Sequence, residues 1–287
     1  MALLRPTLWR AAVLGGVAIV MASLSSAPAE AGPPEIVERG ALRVCADGNN
    51  MPFSNQAGEG FENRIAEMMA DDLGLPVRYV WAPQVMGFVR NTLELRVCDV
   101  IIGIVAGYEL VQNTSAYYRS VYALVLPHDA EIEIDSLTDE DLHGKRVGVV
   151  TDTPPVVPLR QAGARIKSYP LQVDTRTVGV VQQTVADVAE GTTDAAVLWG
   201  PIAGYFAAQH EPPLKVVPLD PRKEENVRVD YRITMGIRRN EPQWKDWLND
   251  FIDRRQDDIN RILAEYHVPL LDARGDPLVI AEGAKAE

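Results

Sequence analysis

The sequence holds few of the residues that build catalytic, metal and cofactor sites. Only two of its 287 residues are cysteine and four are histidine. The four histidines have no cysteine or carboxylate at metal-ligand spacing; they are His128, His143, His210 and His267. No glycine-rich phosphate loop follows a predicted strand, and no Cys-x-x-Cys-His segment is present. We therefore expect no metal, no cofactor and no catalytic residue.

Basic residues are scarce relative to acidic ones. The chain has 28 Lys and Arg against 40 Asp and Glu, a formal net charge of −12. Nucleic acids and anionic membranes would repel such a chain, so both are excluded as expected partners. The charge is compatible with simple solubility and equally with a basic protein partner.

A long apolar run is absent except near the start. Residues 11–24 form a run of about 14 residues, shorter than the roughly 20 that a membrane-spanning helix needs. Arg5 and Arg10 precede it and Ala29-Glu30-Ala31 follows it, which is typical of a secretory leader with a leader-peptidase site. We predict a signal peptide at 1–31, no membrane span after its cleavage, and a net charge that falls from −12 to −13. An uncleaved anchor helix is the alternative.

The two cysteines, Cys45 and Cys98, would lie in a compartment that permits disulfides. An even count makes pairing the economical interpretation, and two buried thiols are the alternative.

Strands and helices alternate along the first third of the exported chain. The helix predicted at 61–73 has Phe61, Ile65, Met69 and Leu73 at helical spacing, and Gly74 is the residue type that ends helices. A second helix is predicted at 85–95, and strands are predicted at 42–46, 77–81 and 99–104. This order indicates a parallel sheet with crossover helices.

The same pattern begins again after a strand predicted at 121–126. Strands are predicted at 146–150, 166–169, 194–198 and 214–218, and helices at 155–161 and 177–190. A strand at 231–237 and one or two helices over 243–266 complete the chain. Two α/β units of this size favour an α/β fold of two lobes, each a mostly parallel sheet flanked by helices, with a cleft between them.

Several segments, in this order, resemble the type II periplasmic solute-binding fold used by ABC importers. They include Pro52-Phe53-Ser54, Gly60-Phe61-Glu62, the segment from Cys98 to Gly103, Tyr117-Tyr118, and the segment from Gly144 to Val149. The resemblance implies a periplasmic protein with lobe 1 at 32–126 and 228–287 and lobe 2 at 127–227. In that fold the strands that carry Cys45 and Cys98 are neighbours, so the resemblance also favours the disulfide.

A narrower resemblance is to the MoxJ and XoxJ proteins that accompany quinoprotein methanol dehydrogenases. Its segments are Cys45-Ala46-Asp47 followed by Asn50, Pro52 to Asn55, Gly58 to Asn63, Gly87 to Leu93, Tyr117 to Ser120, Thr153-Pro154-Pro155, and Trp199 to Tyr205. The stretch from Phe88 to Leu93 favours the XoxJ branch. The resemblance implies an accessory role, with the dehydrogenase or its cytochrome c as partner.

The predicted cleft departs from amino-acid receptors at two places. Those receptors use an Arg after the third strand and an Asp after a strand of lobe two, whereas this chain has Glu109-Leu110 and Gly200 there. A charged amino acid would find no countercharge. A neutral or aromatic ligand remains possible, and we predict that it would contact Asn49, Asn50, Phe53, Tyr117, Thr151, Thr153, Trp199 and Gly200.

Alternatives stay open for three of these residues. Tyr117 is interpreted either as a cleft residue or as packing at the hinge, Thr153 as a ligand contact or a helix cap, and Trp199 as cleft or core. For the whole protein, the leading hypothesis is an accessory of the dehydrogenase system, and the second is an importer receptor. An enzyme is the third, and it would need a cleft carboxylate of shifted pKa, with Glu62 or Asp47 the first candidates.

Overall fold

A computed structural model of the protein describes residues 35–36, 40–131, 134, 136–171, 179–224 and 226–280. The predicted signal peptide at 1–31 lies outside the described residues. The strands are β1 (Leu42–Ala46), β2 (Asn49–Asn50), β3 (Ser54–Asn55), β4 (Val77–Trp81), β5 (Val100–Val105), β6 (Gln112–Leu126), β7 (Arg146–Val150), β8 (Arg165–Tyr169), β9 (Ala195–Trp199), β10 (Lys215–Pro218) and β11 (Asp230–Ile237). The helices are α1 (Phe61–Leu73), α2 (Phe88–Asn91), α3 (Val156–Gln161), α4 (Val180–Ala189), α5 (Gly200–Ala207) and α6 (Pro242–Glu265), with a 3-10 turn at Glu140–Leu142.

Two half-sheets are joined through β6. In the first half-sheet, β1 lies between β4 and β5 and is parallel to both. In the second, β7 lies between β8 and β9 and is parallel to both. The predicted parallel sheets with crossover helices are therefore confirmed, and the fold is the predicted two-lobe α/β arrangement.

The strand β6 belongs to both half-sheets. Its first part pairs antiparallel with β11, as far as the partners Val121 and Asp230. Its last part pairs with β9, beginning at Tyr122 and Trp199, and with β10. The strand had been predicted only for 121–126, and it proves to be 15 residues long.

Each half-sheet is covered on both faces by apolar side chains. Alternation along β1 sends Val44 into one cluster with Phe61 and Trp244, and Cys45 into another with Phe88. Along β9, Val197 and Leu198 enter separate clusters in the same way. Each half therefore has its own hydrophobic core.

Helix α1 occupies the residues predicted for it. Its apolar side chains Phe61, Ile65 and Met69 are fully buried, and Gly74 adopts the left-handed backbone that ends the helix, with φ of 65°. Helix α6 is also confirmed, as one continuous helix rather than two.

One predicted helix was too long, and one helix of the structure was not predicted. Only residues 88–91 of the segment 85–95 are helical, because Gly87 has a left-handed backbone (φ 91°) and Thr92 leaves helical geometry, with its hydroxyl donating to the carbonyl of Phe88. Helix α5 was not predicted at all. It is buried along most of its length, so its sequence has no polar face to signal a helical period.

The disulfide between Cys45 and Cys98 is present, with the two Cα atoms 5.5 Å apart. It links β1 to Cys98, two residues before β5 begins, and both cysteines are buried. The segment from Cys98 onward is thereby fixed against the strand that leads into the candidate site.

Candidate ligand-binding cleft

Two adjoining cavities lie where the half-sheets meet. Cavity A, of about 400 Å³, is lined by both halves, with Asp47 and Asn49 on one side and Val150 and Ile202 on the other. Cavity B, of about 600 Å³, is lined mostly by the first half. They share a wall formed by Asn50, Gln84, Val85 and Trp199. Ligand sites in proteins are commonly apolar clefts of this size with a few polar groups.

The loop after β1 is held in place by Asp47. One carboxylate oxygen accepts from the backbone N–H of Asn49 (3.0 Å) and the other from the backbone N–H of Gln84 (2.8 Å). The Asn50 side-chain amide then donates to the Gln84 side-chain oxygen at 3.0 Å. The polar part of the shared wall is therefore ordered by internal hydrogen bonds.

Trp199 lies at the end of β9 and immediately before α5. Its ring makes edge contacts with Tyr122 (5.5 Å between centroids) and Tyr231 (5.8 Å). It is partly exposed, and it lines both cavities. The Trp199 ring therefore forms part of the cleft wall and packs against two tyrosine rings.

Five of the eight predicted cleft residues line the cavities. Asn49 and Thr153 line cavity A, Phe53 lines cavity B, and Asn50 and Trp199 line both. The Thr153 hydroxyl donates to the carbonyl of Val150. Ligand contact by these residues stays a prediction.

The other three predicted residues lie elsewhere. Tyr117 is only 1% exposed and packs in the core of the first half, and Thr151 and Gly200 do not border either cavity. An ideal Cβ at position 200 would lie 2.3 Å from the Val121 carbonyl oxygen and 2.5 Å from Pro269 Cγ. The position where amino-acid receptors carry an Asp therefore has no room for a side chain.

Cavity B contains a buried carboxyl group, that of Glu62. The residue is 6% exposed and borders the cavity, and burial raises its pKa from 4.5 to about 8. Sequence reasoning had named Glu62 only as a candidate for an enzyme. Its role as part of the cavity wall depends on Gly103, whose absent side chain leaves room for the carboxyl, and no sequence signal connects the two residues.

Within the described residues, no three His, Cys, Asp or Glu side chains are grouped as metal ligands would be. No helix of the described part is long and apolar enough to cross a bilayer.

Comparison with known proteins finds relatives over nearly the whole length of the fold. Protein MoxJ of Paracoccus denitrificans is 27% identical over 253 residues, which cover 83% of this chain and 92% of that protein. The crystal structure of periplasmic binding protein XoxJ from Methylobacterium extorquens AM1 superposes with a TM-score of 0.67 and 39% identity, covering 81% of this chain and 100% of that one. The crystal structure of MxaJ from Methlophaga aminisulfidivorans MPT gives a TM-score of 0.71 and 26% identity, covering 80% of this chain and 100% of that one.

No family model matches the chain. The identity to XoxJ is higher than the identity to MoxJ or MxaJ, in agreement with the branch favoured by the sequence. Because XoxJ is matched along its full length at 39% identity, the chain belongs to the MoxJ/XoxJ family and has the type II periplasmic binding-protein fold.

Proposed function

We propose that the protein is a periplasmic accessory protein of a quinoprotein methanol dehydrogenase system, that it aids maturation or activation of the dehydrogenase or of its cytochrome c partner, and that it is not an enzyme. The observation that carries the proposal is the relationship to XoxJ along that protein's entire length. The predicted leader peptide supports a periplasmic location.

The geometry of the cleft supports an accessory role over amino-acid import. Gly200 is packed against the backbone of Val121 and has no room for an ammonium-binding carboxylate. Leu110, at the place where amino-acid receptors carry a carboxylate-binding Arg, borders cavity B. An amino acid in this cleft would leave its charges without the partners that such receptors supply.

Affinity capture tests the accessory role. The tagged protein would be recovered from the periplasm of its host grown on methanol, and bound proteins identified by mass spectrometry. We expect a quinoprotein dehydrogenase or its cytochrome c, and neither from cells grown on a multicarbon substrate. Recovery of a transport permease in place of both would contradict the proposal. A Trp199→Ala bait, with Trp247→Ala as control, would show whether capture depends on the cleft.

A second candidate function is an importer receptor for a neutral or aromatic ligand. It is favoured by the two cavities, which combine the Trp199 and Phe53 rings with the amides of Asn50 and Gln84. Native mass spectrometry of the purified protein discriminates the candidates, because a receptor is expected to retain a small molecule that dissociates on unfolding.

We also propose lobe boundaries at 126/127 and 227/228, so that lobe 1 holds 32–126 and 228–287 and lobe 2 holds 127–227. The pairing partner of β6 changes from β11 to β9 between Val121 and Tyr122, which supports a hinge close to the first boundary.

A further inference from the structure

Within residues 40–131, 136–171, 179–224 and 226–280, the Glu62 carboxyl has no hydrogen-bond partner. No ion pair involves either of its oxygens in this part of the chain. The residue is only 6% exposed, yet it forms part of the wall of cavity B. Buried polar groups in proteins almost always have a partner, so the missing one is expected to come from the cavity.

Gly103 makes this arrangement possible. An ideal Cβ at position 103 would lie 2.1 Å from Glu62 Oε1. Gly103 lies in β5 and borders the same cavity. Any other residue at 103 would displace the carboxyl, so the strand and the helix α1 together position one polar group in an apolar wall.

The rest of the wall near this group is aromatic and aliphatic. Phe53, Tyr118 and Trp199 supply rings, and Ile104 and Ile233 supply aliphatic side chains. The Phe53 ring is fixed by an edge contact with Phe61, with centroids 5.3 Å apart. Such a wall suits a ring-containing molecule with one polar substituent.

We propose that cavity B is a binding site for a neutral, ring-containing molecule with a carbonyl oxygen, and that the Glu62 carboxyl, held over Gly103, donates a hydrogen bond to that oxygen. The proposal goes beyond the accessory function and does not depend on it.

The charges around Glu62 favour a neutral ligand over a cation. Tyr79, Tyr117 and Tyr118 are the phenols whose pKa values Glu62 influences, and Arg90 and Tyr108 also line the cavity. Burial raises the pKa of Tyr79, Tyr117 and Tyr118, so these phenols are uncharged. Arg90 adds a cation to the wall, which disfavours a cationic ligand. With its pKa raised to about 8, Glu62 is protonated near neutral pH and acts as a donor.

Binding of three simple probes to the purified protein tests the proposal by ligand-observed NMR. Acetophenone has the ring and the carbonyl, ethylbenzene has the ring alone, and benzylamine has the ring and a cation. At about pH 6 we expect acetophenone to bind about fivefold more tightly than ethylbenzene, the effect of one net hydrogen bond. The preference should be lost at about pH 9, where Glu62 is ionised and cannot donate.

Variants separate the carboxyl from its surroundings. Glu62→Gln keeps a donor at every pH, so its preference for acetophenone should persist at about pH 9. Glu62→Leu and Gly103→Ala should abolish the preference, the second by moving the carboxyl without removing it. Glu67→Gln, an exposed carboxylate of the same helix, is the matched control and should behave as wild type.

Several outcomes would overturn the proposal. These are equal affinities for acetophenone and ethylbenzene, tighter binding of benzylamine, no acetophenone binding near its solubility limit, or a ketone preference that Glu62→Leu retains. None of them bears on the dehydrogenase partner, which affinity capture tests separately.

Discussion

Arg43 on β1 holds the buried carboxylate of Asp99 with its side chain and its backbone. Its Nε and Nη2 atoms donate to the two carboxylate oxygens at 3.1 and 3.0 Å, and its backbone N–H donates at 3.3 Å. Arg238, at the end of β11, also donates to this carboxylate, at 3.3 Å. Asp99 has no exposed surface, so it joins three neighbouring strands of the first half-sheet from inside the protein.

Replacement of Asp99 should destabilise the fold strongly. Asp99→Asn would leave two mostly buried arginines without their shared carboxylate, a loss of about 3–5 kcal/mol for a broken buried pair. Urea unfolding followed by circular dichroism measures the effect. Asp71→Asn, an exposed carboxylate on α1, is the control and should keep the wild-type midpoint. An unchanged midpoint for Asp99→Asn would show that the pair adds nothing to stability.

Reduction of the Cys45–Cys98 bond should lower the melting temperature. The bond closes a loop across a sequence separation of 53, for which chain entropy accounts for roughly 4 kcal/mol. The double variant Cys45→Ser with Cys98→Ser should melt at the temperature of the reduced protein. Thiol titration of the unfolded, unreduced protein should find no free thiol. Two free thiols would contradict the assignment.

Trp199 and Trp244 should respond differently to truncation. Trp244 is fully buried and its ring N–H donates to the Asp99 carbonyl at 3.1 Å, so Trp244→Ala should cost about 3–5 kcal/mol. Trp199 is partly exposed at the cleft, so Trp199→Ala should cost clearly less. Thermal unfolding of both variants gives the comparison. Equal losses of stability in the two variants would mean that the Trp199 ring stabilises the fold as a core residue does.

Stability should fall as the pH rises through the window set by Glu62. Its pKa is about 8 in the folded protein against 4.5 as the ordinary value, so between these values the folded state holds a proton that the unfolded state has lost. The Glu62 contribution is complete below pH 4.5 and declines by about 1.4 kcal/mol for each pH unit until about pH 8.

The comparison of wild type with Glu62→Gln isolates this contribution. The variant has no titrating group at 62, so its advantage in urea midpoint over wild type should widen from pH 4.5 to 8. A constant difference over that range would mean that Glu62 is ionised in the folded protein.

The sequence predicts well the helices and strands that have one polar and one apolar face. It predicts less well the elements that are apolar on all sides or irregular. Helix α1 was located to the residue because its apolar positions follow the helical period and Gly74 ends it. Helix α5 was missed because protein surrounds most of it, and α2 was overextended because apolar residues continue past Thr92 in non-helical turns.

The cavities depend on contacts between distant parts of the chain. Phe53, Asn50 and Trp199 were expected at the cleft because aromatic rings and side-chain amides suit a neutral or aromatic ligand. Glu62 borders a cavity only because its side chain packs against Gly103 at the interface between helix and sheet. Tyr117 is buried because an irregularity in the pairing of β6 with β11 places it beside Tyr118 in the same core.

The continuity of β6 has a consequence for how the protein unfolds. Pairing passes from β11 to β9 between Val121 and Tyr122, with no unpaired residue between them. Unfolding of either half-sheet would remove hydrogen bonds from β6, which is also a strand of the other half-sheet. The two halves are therefore expected to unfold in one cooperative transition, with the β6 amides among the slowest to exchange with solvent. The cleft then lies within a single cooperative folding unit.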